Sequence, residues 1–190
     1  MVRARKPQPT LDALFFSTPE QKVMKFLLSE STTTFTSRVI SSKLKGVRGL
    51  GGAEGIAKIM AELNQLGLVE FVDNNRAVRL QDDAPVVTVL KIFASMCELE
   101  GLKNMLAPIS IKGVLFGSRA EGKSRSDSDY NLLVVTDTPE EVEKIATGYP
   151  LGKQLSIVAK TPEAFSDMNR EQPAMAQKIE RGIVLWGSSW

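Results

Sequence analysis

At 190 residues, 43% hydrophobic and 24% charged, the chain has the make-up of a globular protein of one or two small domains, each with a modest core. It contains no histidine, which excludes Ser-His-Asp and Cys-His catalysis, His-bearing zinc sites and imidazole acid–base work, so any chemistry must rest on carboxylates and a metal. The net charge is +2, yet residues 1–50 hold nine Lys or Arg against three acids, a balance of +6 that leaves −4 for the other 140 residues.

That basic first third suits a polyanionic partner, with scattered surface lysines as the plain alternative. No apolar run approaches the roughly 20 residues of a membrane span, and "MVRARKPQPT" has no apolar stretch behind its charges, so a cytoplasmic location and no membrane partner are expected. The single cysteine, Cys97, sits in apolar "FASMCEL" and is expected to be a buried thiol.

In chain order, a basic arm (Arg3, Arg5, Lys6) precedes "STPEQKVMKFLLSE". There Ser17 stands three residues before Glu20, a capping-box spacing, with Pro19 in the first turn and Val23, Met24, Phe26 and Leu27 as an apolar stripe. "FTSRVISSKLKG" reads as a short second helix with Thr36 or Ser37 as N-cap and Gly46 as terminator. "AEGIAKIMAELNQLG" repeats Ile56, Ile59, Met60, Leu63 and Leu66 at helical spacing up to Gly67. "LVEFVDNNRAVRL" reads as a hairpin turning at Asp73-Asn74-Asn75. Three helices followed by a hairpin is the order of a winged helix-turn-helix, the hairpin being the wing.

"PVVTVLKIFASMCELEGLKNMLAP" is helical in composition but apolar on more than one face: Val86, Leu90, Phe93 and Cys97 on one, Val87, Ala94 and Leu102 on another. A helix bridging two domains, or one also contributing to a homodimer contact, fits that excess. Beyond residue 110 the pattern alternates: strands at "IKGVLFG", "NLLVVT", "KQLSIVAK" and "IVLWG", helices at "TPEEVEKIATG", "TPEAFSDMNRE" and "PAMAQKIERG". The expected fold is α+β: residues 1–83 as basic arm and winged helix, 84–106 as bridging helix, 107–190 as a mixed sheet with helices.

The chemistry concentrates in "FGSRAEGKSRSDSDYNLLVV". A glycine directly after an apolar strand lets backbone approach a phosphate, and Ser118 after Gly117 offers both N–H and hydroxyl to an anion. Asp129 and position 131 share one side of the next strand, Tyr130 and Leu132 the other. Two carboxylates so placed can hold a pair of divalent cations over a nucleoside triphosphate whose phosphates the Gly-Ser loop grips.

This stretch resembles the signature of the nucleotidyltransferase superfamily of polymerase beta and the small "minimal" nucleotidyltransferases, over about residues 107–190. With a winged helix ahead of it, the whole resembles predicted prokaryotic transcriptional regulators carrying a nucleotidyltransferase-like domain. The resemblance implies phosphate binding by Gly117 and Ser118, magnesium brought with a nucleoside triphosphate, and metal binding at Asp129 and position 131. That second position is Asn131. The third acid, which would activate the attacking group, falls at Ser156. Asp127 is a substitute metal ligand by strand parity, with a solvated turn aspartate as the alternative. Only one of three carboxylates remains, so the expectation is a regulator whose second domain binds nucleotide or acts as a scaffold without transfer; an active enzyme acting on a small molecule or protein is the alternative.

For double-stranded DNA, the face of the third helix opposite its apolar stripe (Glu54, Ala57, Lys58, Ala61, Gln65) carries little positive charge. With Lys58 as that face's one cation, phosphate contacts are expected from Arg38, Lys43, Lys45 and Arg48, from Arg76 and Arg79 on the wing and from the arm, contacts that set affinity without reading sequence.

Overall fold

The computed structural model describes residues 9–151 and 154–188. The expected arm residues Arg3, Arg5 and Lys6 lie outside them.

The N-terminal half runs α1 (Leu11–Phe15), α2 (Pro19–Ser29), β1 (Phe35–Thr36), α3 (Ser37–Lys43), α4 (Gly52–Gln65), β2 (Val69–Val72) and β3 (Ala77–Leu80). Helix α2 starts one residue later than the Ser17–Glu20 spacing suggests. Pro19 takes the first helical position, so Thr18 becomes the N-cap, its hydroxyl accepting from Gln21 N while the Gln21 side chain returns to the Thr18 N–H. Two short elements are not foreshadowed by periodicity. One is α1, capped by Thr10, whose following residue Phe16 joins Phe15 against Phe93, the ring centroids 6.1 and 5.0 Å away. The other is β1, two residues that pair with β3 and widen the hairpin into a three-stranded antiparallel sheet, order β1-β3-β2. The hairpin turns where Asp73, Asn74 and Asn75 all adopt positive φ (53°, 55°, 65°), the region Asn and Asp tolerate best.

Val23, Leu27, Ile40, Ile56, Met60, Leu63, Val69 and Val78 form the core beneath this sheet. On α4, Glu54, Ala57, Lys58 and Gln65 are exposed as the helical period requires, and Ala61 is half-buried. Leu66, assigned by spacing to the buried stripe, is instead 70% exposed, because the helix ends at Gln65 and the chain turns away there.

Helix α5 (Pro85–Leu106) and a 3-10 turn at Ala107–Ile109 lead into the second half. The first turns of α5 place Val87, Ala94 and Cys97 in the N-terminal core, and its last turns place Leu99, Leu102 and Leu106 against the second sheet. Two cores on one helix explain why its apolar residues spread around the axis. Val86, read with the buried residues, is half exposed, as are Val89 and Met105. Lys91 is buried within this helix, with its Nζ 2.5 Å from Asp82 Oδ1.

The second half is β4 (Lys112–Phe116), β5 (Tyr130–Val135), α6 (Pro139–Thr147), β6 (Leu155–Lys160), α7 (Pro162–Glu171), α8 (Pro173–Glu180) and β7 (Ile183–Trp186). Its mixed sheet has the order β6-β5-β4-β7, with only β5 and β6 parallel. Strand alternation makes three layers. Leu115, Tyr130, Leu132 and Val134 face α5 and α6, while Val114, Phe116, Leu133 and Val135 face α7 and α8. Among the described residues no helix is long and apolar enough to cross a membrane.

Candidate functional site

Strand β4 ends at Phe116, and the chain leaves it through Gly117 at φ +75°. The next residues wind into a tight turn: Ala120 and Glu121 N–H both donate to Gly117 O (3.0 and 3.1 Å), and Lys123 N–H to Ser118 O (2.8 Å). Arg119 pins the far end of the loop. Its Nε and Nη2 donate to Ser128 O at 3.0 and 2.8 Å, and its guanidinium lies 3.6 Å from the centre of the Tyr130 ring. Gly122, at φ +69°, sits so close to α5 that a Cβ there would come within 2.5 Å of Thr88 O. Ser31 at the end of α2 donates its hydroxyl to Ser124 O, 3.1 Å away, and both serines are buried. The loop from Gly117 to Ser128 is therefore shaped by the N-terminal half as well as by its own sheet.

The register brings together three of the residues singled out in the sequence. Phe116 pairs with Asn131 and Asn131 with Ser156, so Asn131 and Ser156 lie side by side on adjacent strands, with Gly117 just past the end of the third. A Cβ on Gly117 would stand 3.2 Å from the Asn131 carboxamide nitrogen, which places that amide against the loop. Asp129, immediately before β5, is exposed, and Gly117 and Ser118 are half-buried. Strand parity reaches neither Asp127 nor Asp129, both of which precede β5. Asp127 lies in a solvent-facing turn closed by Ser128 N–H to Arg125 O (3.0 Å) and Arg125 N–H to Ser128 Oγ (2.8 Å), ahead of the strand to which that parity would apply.

Among the described residues of this face, one carboxylate, Asp129, could hold a metal, beside the Asn131 amide and the Ser156 hydroxyl. Among the described residues no three Asp, Glu or Cys side chains converge as a metal site. Two magnesium ions demand a set of anionic oxygens, and this donor set does not fit a two-metal centre. It fits phosphate better. A glycine turn, a serine and a neutral amide offer hydrogen bonds without the repulsion of a second carboxylate.

Behind Asn131, on the other face of the sheet, sequence reasoning missed a polar group. The Tyr130 hydroxyl donates to the Glu98 carboxylate, and the Tyr149 hydroxyl donates to the Glu98 backbone carbonyl at 3.3 Å. Burial, followed by the charge of Glu98 and the bond to it, pushes the Tyr130 phenol well above its ordinary range. Burial likewise pushes the Cys97 thiol up to about 11. The only signal for this group in the sequence was strand parity, which put Tyr130 opposite Asn131 without saying what it meets.

In the N-terminal half Arg38, Arg48, Lys58, Arg76 and Arg79 are all exposed. Arg79 is already engaged, donating from Nε (2.9 Å) and Nη2 (2.6 Å) to Glu70 on the paired strand.

Residues 103–189 match the family described as Polymerase beta, Nucleotidyltransferase. No curated protein matches the chain. Among solved structures, a candidate nucleotidyltransferase from Sulfolobus solfataricus is similar over 55% of this chain and 91% of its own, at 14% identity and a TM-score of 0.37. A mutant of the toxin–antitoxin MntA-HpeT is similar over 49% of this chain and 73% of its own, at 17% identity and a TM-score of 0.33.

Proposed function

We propose that this chain, whose residues 103–189 carry a polymerase beta-type nucleotidyltransferase domain, is a DNA-binding transcriptional regulator of the cytoplasm in which that domain binds a nucleotide or serves as scaffold rather than transferring one. The observation that carries the DNA side is the element order of the first half: helix, strand, two helices and a hairpin, with the sheet ordered β1-β3-β2. That is the order of a winged helix, whose last helix enters the major groove while the wing lies on phosphate. In this reading α4 is the groove helix and offers one cation, Lys58. Arg38 at the start of α3, Arg48 in the following loop and Arg76 beside the wing turn supply backbone contacts. The acids Glu54 and Glu62 exposed on α4 oppose tight sequence-independent binding through that helix. Binding of a labelled duplex, followed by anisotropy over a salt series, tests the reading. Affinity is expected to fall steeply with salt, and Arg76→Ala to lower it about equally for all sequences. Salt-independent or absent binding would remove DNA from the account.

For the second domain, the half-buried Gly117-Ser118 turn against a neutral amide supports phosphate binding, and the single carboxylate supports the loss of transfer. A homodimer completes the proposal, because half-exposed Val86, Val89 and Met105 lie along one helix and a two-fold protein suits a two-fold DNA site. Sedimentation at micromolar concentration is expected to give twice the chain mass.

A further inference from the structure

One feature the proposed function leaves unused is a cavity of about 340 Å³ between the two halves, walled by α2, α5, the loop after β4 and the segment joining α6 to β6. Its volume is at the lower end of the roughly 300–1,000 Å³ of small-molecule sites. None of Gly117, Ser118, Asp129 or Asn131 lines it; Tyr130 does, so it opens on the opposite face of β5 from the phosphate site.

Its charges are unevenly matched. Lys25 and Lys91 reach its wall, but each is ion-paired with an acid outside the lining, Asp12 and Asp82. Three charged groups remain. Arg119 is 9% exposed, and its partners are a backbone carbonyl and an aromatic face, with no carboxylate. Half-buried Glu98 accepts one tyrosine hydroxyl and half-buried Glu30 accepts none, and neither forms an ion pair with any described residue. Arg119 and Glu98 both reach the Tyr130 side chain without forming an ion pair with each other. Charged groups turned toward a cavity favour counter-charges, and this wall presents one cation and two anions without an ion pair among the described residues, a sum of −1.

We propose that the interdomain cavity binds a small zwitterion of net positive charge, of the class of basic amino acids, with its carboxylate on Arg119 and its amines on Glu98 and Glu30. The hydroxyls of Ser95 and Tyr149, at the same wall, supply neutral hydrogen-bonding groups beside them. Because α2 contributes to one wall and the nucleotidyltransferase domain to another, an occupant would touch both halves. The inference stands on the cavity and its charges, and holds whether or not the first half binds DNA.

Calorimetric titration of the full chain with L-lysine, L-arginine and cadaverine tests it, cadaverine being lysine without its carboxylate. One of the two amino acids is expected to bind with one-to-one stoichiometry. Cadaverine, which cannot meet Arg119, and the variant Glu98→Gln, which keeps an acceptor for Tyr130 but loses the charge, should each bind about tenfold more weakly or worse. Glu30→Gln, at a position with no side-chain partner to lose, provides the same test should Glu98→Gln fail to fold. Absence of binding by both amino acids, cadaverine binding as tightly as lysine, or undiminished binding by the folded charge variants would each overturn the assignment.

Discussion

Tyr130 and Asn131 are neighbours in the chain and open onto opposite sides of one sheet, and the two sides treat polar groups differently. Behind the sheet, Tyr130 is 2% exposed, bonded to Glu98 and covered by Arg119, so its polar atoms are held by protein. In front, Asn131, Ser156 and Asp129 are half-buried or exposed, and their groups are left for solvent or a ligand. A face whose polar groups satisfy one another contributes to stability, whereas a face that leaves them open gives up stability for binding. On the cavity side the Tyr130 hydroxyl is satisfied while Arg119 and Glu98 form no ion pair with a described residue; on the front face the polar groups stand open to solvent.

The strongest way to break that comparison is through Gly122, where the loop meets α5. Valine there would drive a Cβ into the Thr88 carbonyl, at 2.5 Å, from a positive φ that L-residues avoid. Gly122→Val should therefore lower unfolding free energy by roughly 2–4 kcal/mol, read by urea denaturation. A loss below about half a kcal/mol would show that the loop is not held from α5, and that its shape is set on the phosphate side alone.

A smaller effect sharpens the same contrast at Tyr130. Removing the hydroxyl by Tyr130→Phe leaves Glu98 without its donor and should cost about 1–2 kcal/mol, whereas Ser156→Ala on the open face should be nearly neutral. The pH dependence has a definite sign. The folded-state values of Tyr130 and Cys97 both lie above their ordinary values of 10.0 and 9.0, so the fold retains protons that the unfolded chain releases. The stabilisation is complete below pH 9 and is lost as the pH rises, first through the range from 9 to about 11 set by Cys97, then further through Tyr130. Stability of the wild type measured from pH 8 to 11 should fall, and Cys97→Ala should flatten the first part of that fall.

Most of the secondary structure was legible because its signals are local: the stripe of α4, the Asp73–Asn75 turn and the alternation of β4 and β5 each declare themselves within a dozen residues. The short elements α1 and β1 were not, since five and two residues carry no period and are held by partners far away in sequence, Phe93 and β3. The front of the candidate site was legible for the same local reason, glycine, serine and aspartate at fixed offsets from a strand. Placing Ser156 beside Asn131 needed only the assumption that consecutive parallel strands are neighbours, and the register satisfies it. The cavity behind was not legible: Glu30, Glu98 and Arg119 come from three distant segments, and only the packing of α2 and α5 on the phosphate loop brings them to one wall.

The finest test of the comparison is Asn131→Asp, which gives the open face a second carboxylate without touching the network behind it. On a half-buried position next to exposed Asp129 the added like charge should lower stability by less than about 1 kcal/mol at low salt, and magnesium should restore it, because a divalent cation can now bridge two carboxylates where the wild type offers one. Wild-type protein is expected to bind a nucleoside triphosphate without releasing or transferring its nucleotide, and the single substitution to add magnesium affinity but no turnover, since Ser156, at the position where the family resemblance implies the third acid, is a neutral hydroxyl far too weakly basic to take a proton at neutral pH. The double variant Asn131→Asp with Ser156→Asp completes the carboxylate set on adjacent strands. Labelled-nucleotide transfer by the double variant alone would locate the loss of chemistry in those two residues. Transfer by the wild type, abolished by Asp129→Ala, would instead show that a single carboxylate suffices and that the open face is still an active site.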